Sequence, residues 1–283
     1  MTSQRKSSSL LARIRRDMHT LHPMERRLAE ALLGFPGELA SYSASELAKL
    51  ANVSNATVSR FFRKLGYPSF DAARRNVRAE KQSGAALLLL GQATETLHHV
   101  VDAHASQAQL NLTRTLSGLS ITEVDAIAQS MLQARRVWVI GFRTSHAFAT
   151  YLHWQILQVI EVAILLPTAG HTLAEHIAGM EPDDVVVVFD FKRRPKFLDL
   201  VMKLMAARGP QILVISDVAR TTQPNQVAWH VQCQTAAPGP LFNHVSVFAV
   251  SHLVATRVLE MAGPMSRKRL AMIEALHEDL DEL

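Results

Sequence analysis

The stretch Val185–Pro195, which reads VVVVFDFKRRP, decides the fold of this chain. Four consecutive valines followed by a phenylalanine predict a strand that is buried on both faces, as strands of parallel sheets are. The apolar run meets an acid at Asp190, and the cations Lys192, Arg193 and Arg194 follow at once. The sequence therefore places a charged loop directly after a strand from the middle of a sheet.

Apolar segments alternate with helical segments on both sides of this stretch. The strand candidates read RVWVIG, EVAILLP, DVVVVFDF, QILVISD and AWHVQC. Near-continuous valine and isoleucine runs separated by helices predict an α/β fold, a doubly wound parallel sheet with both faces covered. Ligands of such sheets bind at the C-terminal ends of the strands. We therefore expect a ligand site in the loops that follow these strands.

The loop after the first strand, GFRTSHA, is one candidate for that site. Gly141 lets the backbone turn, Arg143 follows, and Thr144 and Ser145 stand at the predicted start of the next helix. Free amides and the helix dipole favour an anion at such a position. Threonine and serine are also the usual N-cap residues, so a structural role explains them equally well.

Charge is distributed unevenly along the chain. Residues 1–81 carry 15 Lys and Arg against 7 Asp and Glu, whereas the remaining residues carry 15 against 18. A basic segment joined to a near-neutral remainder favours a module that binds a polyanion. The alternative is a solvated basic surface, and charge alone does not decide between the two.

Cysteine content and hydropathy indicate the compartment. The single cysteine, Cys233, excludes an internal disulfide framework and fits a reducing cytoplasm. The N-terminus has no apolar core of signal-peptide length, and no apolar run approaches a membrane span. We therefore expect a soluble, cytoplasmic protein that makes no membrane contact.

Three short helices are predicted inside the basic segment, from PMERRLAEALLGFP, SYSASELAKLANVS and NATVSRFFRKLG. Ser43 and Glu46 form a capping box at the second helix, and only Asn52, Val53 and Ser54 separate it from the third. This pattern is typical of a helix-turn-helix, whose second helix enters the major groove. The polar residues predicted to point outward from the third helix and bind DNA are Asn55, Thr57, Ser59, Arg60, Arg63 and Lys64.

The segment SASELAKLANVSNATVSRFFRKLGYPSFDAARRNVR resembles the N-terminal domain of the RpiR-like (MurR/RpiR) bacterial transcriptional regulators. The resemblance implies a winged-helix-like reader of double-stranded DNA and a dimer on a palindromic operator. The segment from about Ala134 to Ala262 resembles a sugar isomerase (SIS) domain, the effector module of the same family. In that module hydroxyl residues of the first loop hold a phosphosugar, and Thr144 and Ser145 occupy the matching positions.

The loop after the third strand departs from the family pattern. The family has a serine-rich turn, S-x-S-G-x-T, where this chain has the six residues Asp190 to Pro195. Asp190 would repel a phosphate, whereas Lys192, Arg193 and Arg194 would attract one. Three interpretations stay open: the loop binds an anion through its cations, it binds another kind of ligand, or it is structural.

Other polar residues follow predicted strands and are weaker candidates. They are His171, Glu175, His176, Ser216, Asp217, Asn243 and His244. A glutamate and histidine pair can transfer protons, although such residues more often orient loops. The 13 histidines show no grouping typical of zinc ligands, so we predict neither a metal nor a cofactor.

The sequence thus predicts a regulator rather than an enzyme. Residues 1–82 form an all-α helix-turn-helix domain, residues 83–120 a linker with a helix, and residues 121–283 a SIS-like α/β domain. We expect a homodimer or homotetramer that binds a small effector such as a phosphosugar. One alternative is a sugar-phosphate isomerase with an accessory N-terminal domain, against which the altered phosphate turn argues. Another is that the basic segment binds a protein.

Overall fold

The computed structural model of the protein describes residues 9–34, 39, 42–82, 97–218 and 227–282. It divides into two compact units. The first, here the N-terminal unit, comprises Met1–Val101 and Ala237–Phe242, and the second, the C-terminal unit, comprises Asp102–Ala236 and Asn243–Leu283. Residues 83–96 of the predicted linker lie outside the described part of the chain.

The N-terminal unit consists of short helices. They are α1 (Leu10–Asp17), a 3-10 turn (Met18–Thr20), α2 (Pro23–Gly34), α3 (Ala44–Leu50), α4 (Asn55–Lys64) and α5 (Phe70–Gln82). The sequence predicts α2, α3 and α4 but neither α1 nor α5. The described residues of this unit contain no strand, so the wing that the family resemblance implies is not found among them.

Local signals fix the turn between α3 and α4. Ser43 accepts a hydrogen bond from the amide of Glu46, whose carboxylate accepts one from the amide of Ser43, which confirms the predicted capping box. Asn52 has a φ of 52°, a left-handed conformation that asparagine tolerates and that ends α3. Ser54 then caps α4 through the amide of Thr57. These side chains produce the predicted helix-turn-helix connection.

The core of the N-terminal unit holds α4 from one side. Phe61 and Phe62 are fully buried, and the ring of Phe62 makes edge-to-face contacts of 5.3 Å with the rings of both Phe61 and Phe70. Such aromatic pairs contribute about 0.5–1.5 kcal/mol beyond their burial. Because these rings bind one face of α4 to the core, its opposite face stays exposed.

The C-terminal unit is a parallel sheet with helices on both faces. In chain order its elements are α6 (Leu97–Leu116, which begins before the unit boundary), α7 (Ile121–Gln133), β1 (Val137–Gly141), α8 (Ser145–Leu157), β2 (Ala163–Leu166), α9 (Leu173–Ala178), β3 (Val185–Asp190), α10 (Leu198–Ala206), β4 (Gln211–Asp217), β5 (Trp229–Cys233), α11 (Val245–Met261) and α12 (Pro264–Leu280). The strand order is β2-β1-β3-β4-β5, with every pair parallel. The five predicted strands are confirmed, whereas α12 is not predicted by the sequence.

Strand β3 lies in the middle of this sheet, and all of its residues are buried. Val185, Val187 and Phe189 face a core shared with α7, α8 and α11, whereas Val186 and Val188 face one shared with α9 and α10. The chain places β2 on one side of β1 and β3 on the other, so the strand order reverses between β1 and β3. A ligand cleft is expected outside the C-terminal ends of these two strands.

Helix α6 is attached to the sheet by polar contacts. Asn111 is buried and donates to the carbonyl of Ala236 at 2.8 Å. The hydroxyl oxygen of Thr115 accepts a hydrogen bond from the amide of Gln234 at 2.9 Å. Gln234 and Ala236 follow the end of β5, so α6 is held at the C-terminal edge of the sheet.

The last two helices meet at a bend of 107°. Within the described residues no single helix has the length and hydropathy of a membrane span, and only α11 and α12 taken together reach them.

Candidate functional site

One face of α4 is exposed along the whole helix. Asn55, Ser59 and Arg63 follow one another at intervals of four residues, and Arg60 lies beside them. All four are exposed, and the side-chain nitrogen Nδ2 of Asn55 lies 3.4 Å from the hydroxyl of Ser45 on α3. Small polar groups and guanidinium groups of this kind bind base edges and phosphates.

Thr57 does not belong to this face, and the prediction that it points outward is wrong. It is 8% exposed, and its hydroxyl lies 2.9 Å from that of Ser54. Thr57 precedes Phe61 by four residues, and residues four apart share one face of a helix. Thr57 therefore stabilises the start of α4 from its buried side.

Lys64, a second predicted DNA contact, is engaged within the N-terminal unit. Its ammonium lies 2.9 Å from the carboxylate of Glu25 and 2.7 Å from the carbonyl of Thr20. The pKa of Glu25 is lowered: burial alone would raise it, but the amide of His22 and the Lys64 ammonium outweigh burial. Lys64 thus ties the end of α4 to α2 and would have to leave this pair to bind a phosphate.

Arg13 shows that part of the basic charge is structural. Its guanidinium is buried, donates to the carbonyl of Leu65 at 3.0 Å and lies 4.4 Å from the centre of the Tyr67 ring. Arg16 likewise pairs with the adjacent Asp17 at 2.8 Å. The number of basic residues in the segment therefore overstates the charge that a polyanion can reach.

The C-terminal ends of neighbouring strands form the candidate effector site. β1 ends at Gly141, β3 at Asp190, β4 at Asp217 and β5 at Cys233. The register places Asp190 beside Ser216, and Asp217 beside Cys233. This edge therefore brings two buried carboxylates, Asp190 and Asp217, next to the loops that the sequence singles out.

Gly141 is required by the close approach of α8. A Cβ atom at this position would lie 2.2 Å from the carbonyl oxygen of Ser145 and 2.9 Å from the amide nitrogen of His146. Both neighbours are backbone atoms of the first turn of α8, so no side chain fits without moving that helix. The glycine thus determines where α8 begins.

The start of α8 offers side chains rather than amides to a ligand. The amides of Ser145 to Ala147 each donate to the carbonyl three residues earlier, at 3.1 to 3.2 Å, so they are not free as the sequence leads us to expect. Arg143, with a φ of 58°, and the N-cap residue Thr144 are exposed, whereas Ser145 is buried. Arg143 and Thr144 are the parts of this loop that a ligand can reach.

Two carboxylates hold Arg194 in the loop after β3. Its guanidinium contacts the buried Asp190 at 3.2 Å and Asp199, in the first turn of α10, at 2.6 Å. A buried carboxylate needs such a partner because its desolvation is costly. Of the three interpretations of this loop, the structural one therefore explains Arg194, whose charge neutralises Asp190 and Asp199.

Lys192 makes a looser contact. Its ammonium lies 3.8 Å from the buried carboxylate of Asp217, near the limit for an ion pair. Arg193, between the two paired cations, has a φ of 62°. The three cations of this loop are thus matched in number by three carboxylates, those of Asp190, Asp217 and Asp199. An anionic ligand that binds Lys192 or Arg194 would have to compete with a carboxylate for that cation.

Polar and aromatic groups surround Asp217. The hydroxyl of Thr235 donates to its carboxylate. Burial and, less strongly, the Asp217 charge raise the pKa of Cys233 to about 12, so its thiol stays protonated. The pKa of His244 is lowered by burial against the opposing effect of Asp217, and its ring lies 5.0 Å from that of Phe148. The imidazole is therefore mainly neutral at physiological pH and can exchange a hydrogen bond with a ligand.

The histidines after β2 contact one another. The rings of His171 and His176 stack with centroids 5.5 Å apart, and Thr172 donates to the carboxylate of Glu175. The hydrogen bond from Thr172 lowers the pKa of Glu175, which makes it a weaker base and argues against proton transfer. Across the described ranges, no group of three or more His, Cys, Asp and Glu residues is placed to hold a metal ion.

Ser216 and Asn243 make internal contacts at the same edge. Ser216 is fully buried, and its hydroxyl lies 2.7 Å from the Nε2 atom of His230 on β5. The side-chain oxygen of Asn243 accepts from the amide of Val245 at 3.0 Å, at the start of α11. Sequence reasoning misses Asp199 and Thr235, whose partners Arg194 and Asp217 come from other elements.

Two family models match the chain. Residues 8–84 match the helix-turn-helix domain of the rpiR family, and residues 130–257 match the SIS domain. Among curated relatives, the HTH-type transcriptional regulator HexR of Pseudomonas aeruginosa is 25% identical over 217 residues, which is 72% of each chain. That relative is named as a regulator, which supports the prediction of a regulator rather than an isomerase.

Solved structures show the same fold. The sugar isomerase domain of the RpiR transcription factor from Sphaerobacter thermophilus has a TM-score of 0.56 at 19% identity, covering 62% of this chain and 97% of that one. The Vibrio vulnificus NanR protein complexed with ManNAc-6P also has a TM-score of 0.56, at 18% identity, covering 96% and 99%. The two matched segments, with the helix-turn-helix and the parallel sheet that they contain, place this chain in the RpiR family of transcriptional regulators, with a C-terminal SIS domain.

Proposed function

We propose that this regulator binds a palindromic operator as a dimer, or as a tetramer built from dimers, and that a small anionic metabolite controls its affinity for DNA. The observation that carries the DNA-binding part is the exposed face of α4 with Asn55, Ser59, Arg60 and Arg63. A regulator of this kind works beside the chromosome, so we place it in the cytoplasm.

The exposed face of α4 suggests a division of roles. Asn55 and Ser59, near the N-terminus of the helix, are proposed to contact base edges, and Arg60 and Arg63 to contact guanine or phosphates. Thr57 and Lys64, which contact their own unit, are proposed to support the helix instead.

We expect Arg60→Ala to weaken binding to the operator about tenfold to a hundredfold if Arg60 reads a base. Fluorescence anisotropy against salt concentration measures this, with operator and random duplexes compared. Log K should fall with log salt by about 0.9 for each phosphate contact. Arg16→Ala, which removes the same charge from α1, is the matched control and should change operator affinity far less. An equal loss on both duplexes would make Arg60 a phosphate contact, and a salt-independent affinity would contradict DNA binding.

The effector site is proposed at the C-terminal edge of the sheet. Its residues are Gly141, Arg143, Thr144, Ser145, Asp190, Lys192, Arg193 and Arg194, of which the buried Gly141, Ser145 and Asp190 are proposed to shape the site and the others to face the ligand. Support comes from the reversal of strand order between β1 and β3 and from the fold shared with NanR, which was solved with ManNAc-6P. The presence of both cations and carboxylates favours a ligand that carries both an anionic group and hydroxyl groups, because hydroxyls can donate to carboxylates while the anion takes a cation. An anionic sugar derivative, such as a phosphosugar, has this chemistry.

We expect Lys192→Ala to weaken the effector about tenfold to a hundredfold, since a hydrogen bond to a charged group contributes about 1.5–3 kcal/mol. A thermal-shift screen of phosphosugars and sugar acids would first find the ligand, whose dissociation constant is then measured by calorimetry. Lys203→Ala on α10 is the control, since it removes the same charge away from the mouth. If Lys192→Ala lowers the melting temperature but leaves the dissociation constant unchanged, the structural interpretation of this lysine is correct.

A further inference from the structure

Ala56 is an apolar residue on the exposed face of α4. In this helix, which the structure describes in full, five other side chains are exposed, and all of them are polar or charged. They are Asn55, Ser59, Arg60, Arg63 and Lys64. Because alanine is a good helix former, its exposure alone does not indicate a contact, and its position on the helix has to be considered.

The buried residues of α4 determine which residues lie at the centre of its exposed face. The four buried residues are Thr57, Val58, Phe61 and Phe62. With about 100° between successive residues, the direction opposite these four passes between Ala56 and Arg63, about 10° from each. Ser59 and Arg60 lie about 50° to either side of that direction, and Asn55 lies about 90° away. Ala56 is therefore the residue of the first turn that points most directly away from the core.

The first half of the exposed face carries only short side chains, those of Asn55, Ala56 and Ser59. Both exposed arginines, Arg60 and Arg63, belong to the second half of the helix. A helix whose first turns carry short side chains can approach the floor of the major groove closely, and the N-terminal residues of a recognition helix are the ones that contact base edges. The methyl group of Ala56 can therefore reach van der Waals contact with a base.

The chemistry of a methyl group limits what Ala56 can recognise. It neither donates nor accepts a hydrogen bond, so a base amino or carbonyl group placed against it would lose its water partner and gain nothing in return. The apolar group that the base pairs present in the major groove is the C5-methyl of thymine. Contact between two methyl groups removes apolar surface from water, which is favourable. Cytosine presents the same group only when it is methylated at C5.

We propose that Ala56 recognises the C5-methyl group of a pyrimidine, so that each half-site of the operator carries thymine at the base pair that faces Ala56. The same contact favours 5-methylcytosine over cytosine at that base pair. The inference rests on the proposed binding of DNA by α4 and adds to it a residue that selects a base without any polar group. The expected effect of the methyl group is about fourfold in affinity per half-site, which corresponds to roughly 0.8 kcal/mol for one buried carbon.

Replacement of thymine by deoxyuridine tests this contact, because it removes only the C5-methyl group from the base. Selection from a random duplex pool first gives the bound sequence, and fluorescence anisotropy then compares duplexes in which each thymine of one half-site is replaced in turn. For the wild-type full chain, replacement at one position should weaken binding about fourfold. A duplex with cytosine at that position should bind more tightly when the cytosine is methylated at C5.

Ala56→Gly removes the methyl group from the protein instead of the DNA. The ratio of the dissociation constants for the deoxyuridine and thymine duplexes should fall from about four to about one. A loss of helix stability weakens binding to both duplexes equally, so it leaves this ratio unchanged. Ala79→Gly is the matched control, since Ala79 is an exposed alanine of α5, and this variant should keep a ratio of about four.

Two results would overturn the proposal while leaving DNA binding by α4 intact. In the first, replacement of every thymine of the selected half-site leaves the affinity of the wild-type chain unchanged. In the second, one thymine methyl group matters, but the ratio stays at about four in Ala56→Gly, so that another residue makes the contact. If no sequence is enriched from the random pool, the proposed function itself fails, and this inference fails with it.

Discussion

Asp184→Ala is expected to lower the free energy of unfolding of the C-terminal unit by about 4 kcal/mol. The Asp184 carboxylate is fully buried just before β3. It accepts two hydrogen bonds from Arg135, at 2.8 and 2.9 Å, one from the indole of Trp138 at 2.9 Å and one from the amide of Glu181 at 3.1 Å. Removal of the carboxylate leaves buried donors without an acceptor, which costs more free energy than the loss of the ion pair with Arg135 itself.

Urea denaturation of the full chain, followed by tryptophan fluorescence, measures this loss. The three tryptophans, Trp138, Trp154 and Trp229, all belong to the C-terminal unit, so their signal reports on that unit alone. Asp183→Ala is the matched control, because Asp183 is the exposed neighbour and should change stability by less than about 0.5 kcal/mol. A loss below about 1 kcal/mol for Asp184→Ala would contradict the role of its carboxylate.

The same carboxylate makes stability depend on pH. Burial raises the pKa of Asp184, but the hydrogen bonds from Arg135, Trp138 and the Glu181 amide outweigh it, so the pKa lies below its ordinary value. With a depressed folded-state pKa, the stabilisation is present above the unfolded-state value of about 3.9 and is lost as the pH falls through the folded-state value. The stability difference between the wild type and Asp184→Ala should therefore be full near pH 7 and shrink below about pH 4.

Gly141→Ala is expected to cost about 3 kcal/mol, at the upper end for a side chain forced into a packed site. The new Cβ would lie 2.2 Å from the carbonyl oxygen of Ser145, and only a shift of the first turn of α8 relieves that contact. Because this turn carries Thr144 and Ser145, the variant should also lose its thermal stabilisation by the effector.

Gly118→Ala provides the comparison for Gly141→Ala. A Cβ at Gly118 would meet its nearest atoms at 3.5 and 3.7 Å, which is ordinary contact. This control should stay within about 0.5 kcal/mol of the wild type and keep the effector response. Equal stability of the two variants in the tryptophan-monitored denaturation would show that α8 can move away from β1 without cost.

Elements with strong local signals could be predicted from the sequence. The valine run of β3 identifies a central strand without any knowledge of its neighbours. The capping box of Ser43 and Glu46 and the short connection at Asn52 likewise lie within a few residues of the helices that they determine. By contrast, α12 has no buried face, so the apolar periodicity of a core helix does not reveal it.

Side-chain roles at the sites depend on partners that are distant in sequence. Lys64 looks like a DNA contact until Glu25, 39 residues earlier, is found beside it. The cations after β3 suggest an anion site until Asp217 is brought to Lys192 by the pairing of β4 with β3. Local pattern gives the charge of a loop, but only the fold shows which of its charges are balanced.

The attachment of α6 to the residues after β5 has a thermodynamic consequence. Asn111 and Thr115 bind α6 to Ala236 and Gln234, beside the hydroxyl of Thr235 that contacts Asp217. An effector that displaces this segment must therefore also break the hydrogen bonds that hold α6, the helix that precedes the sheet in the chain. Linkage between two binding sites is reciprocal. If the effector changes the affinity for the operator by some factor, operator binding changes the affinity for the effector by the same factor. If an effector controls operator affinity as proposed, operator DNA is in turn an allosteric ligand of the sugar isomerase domain.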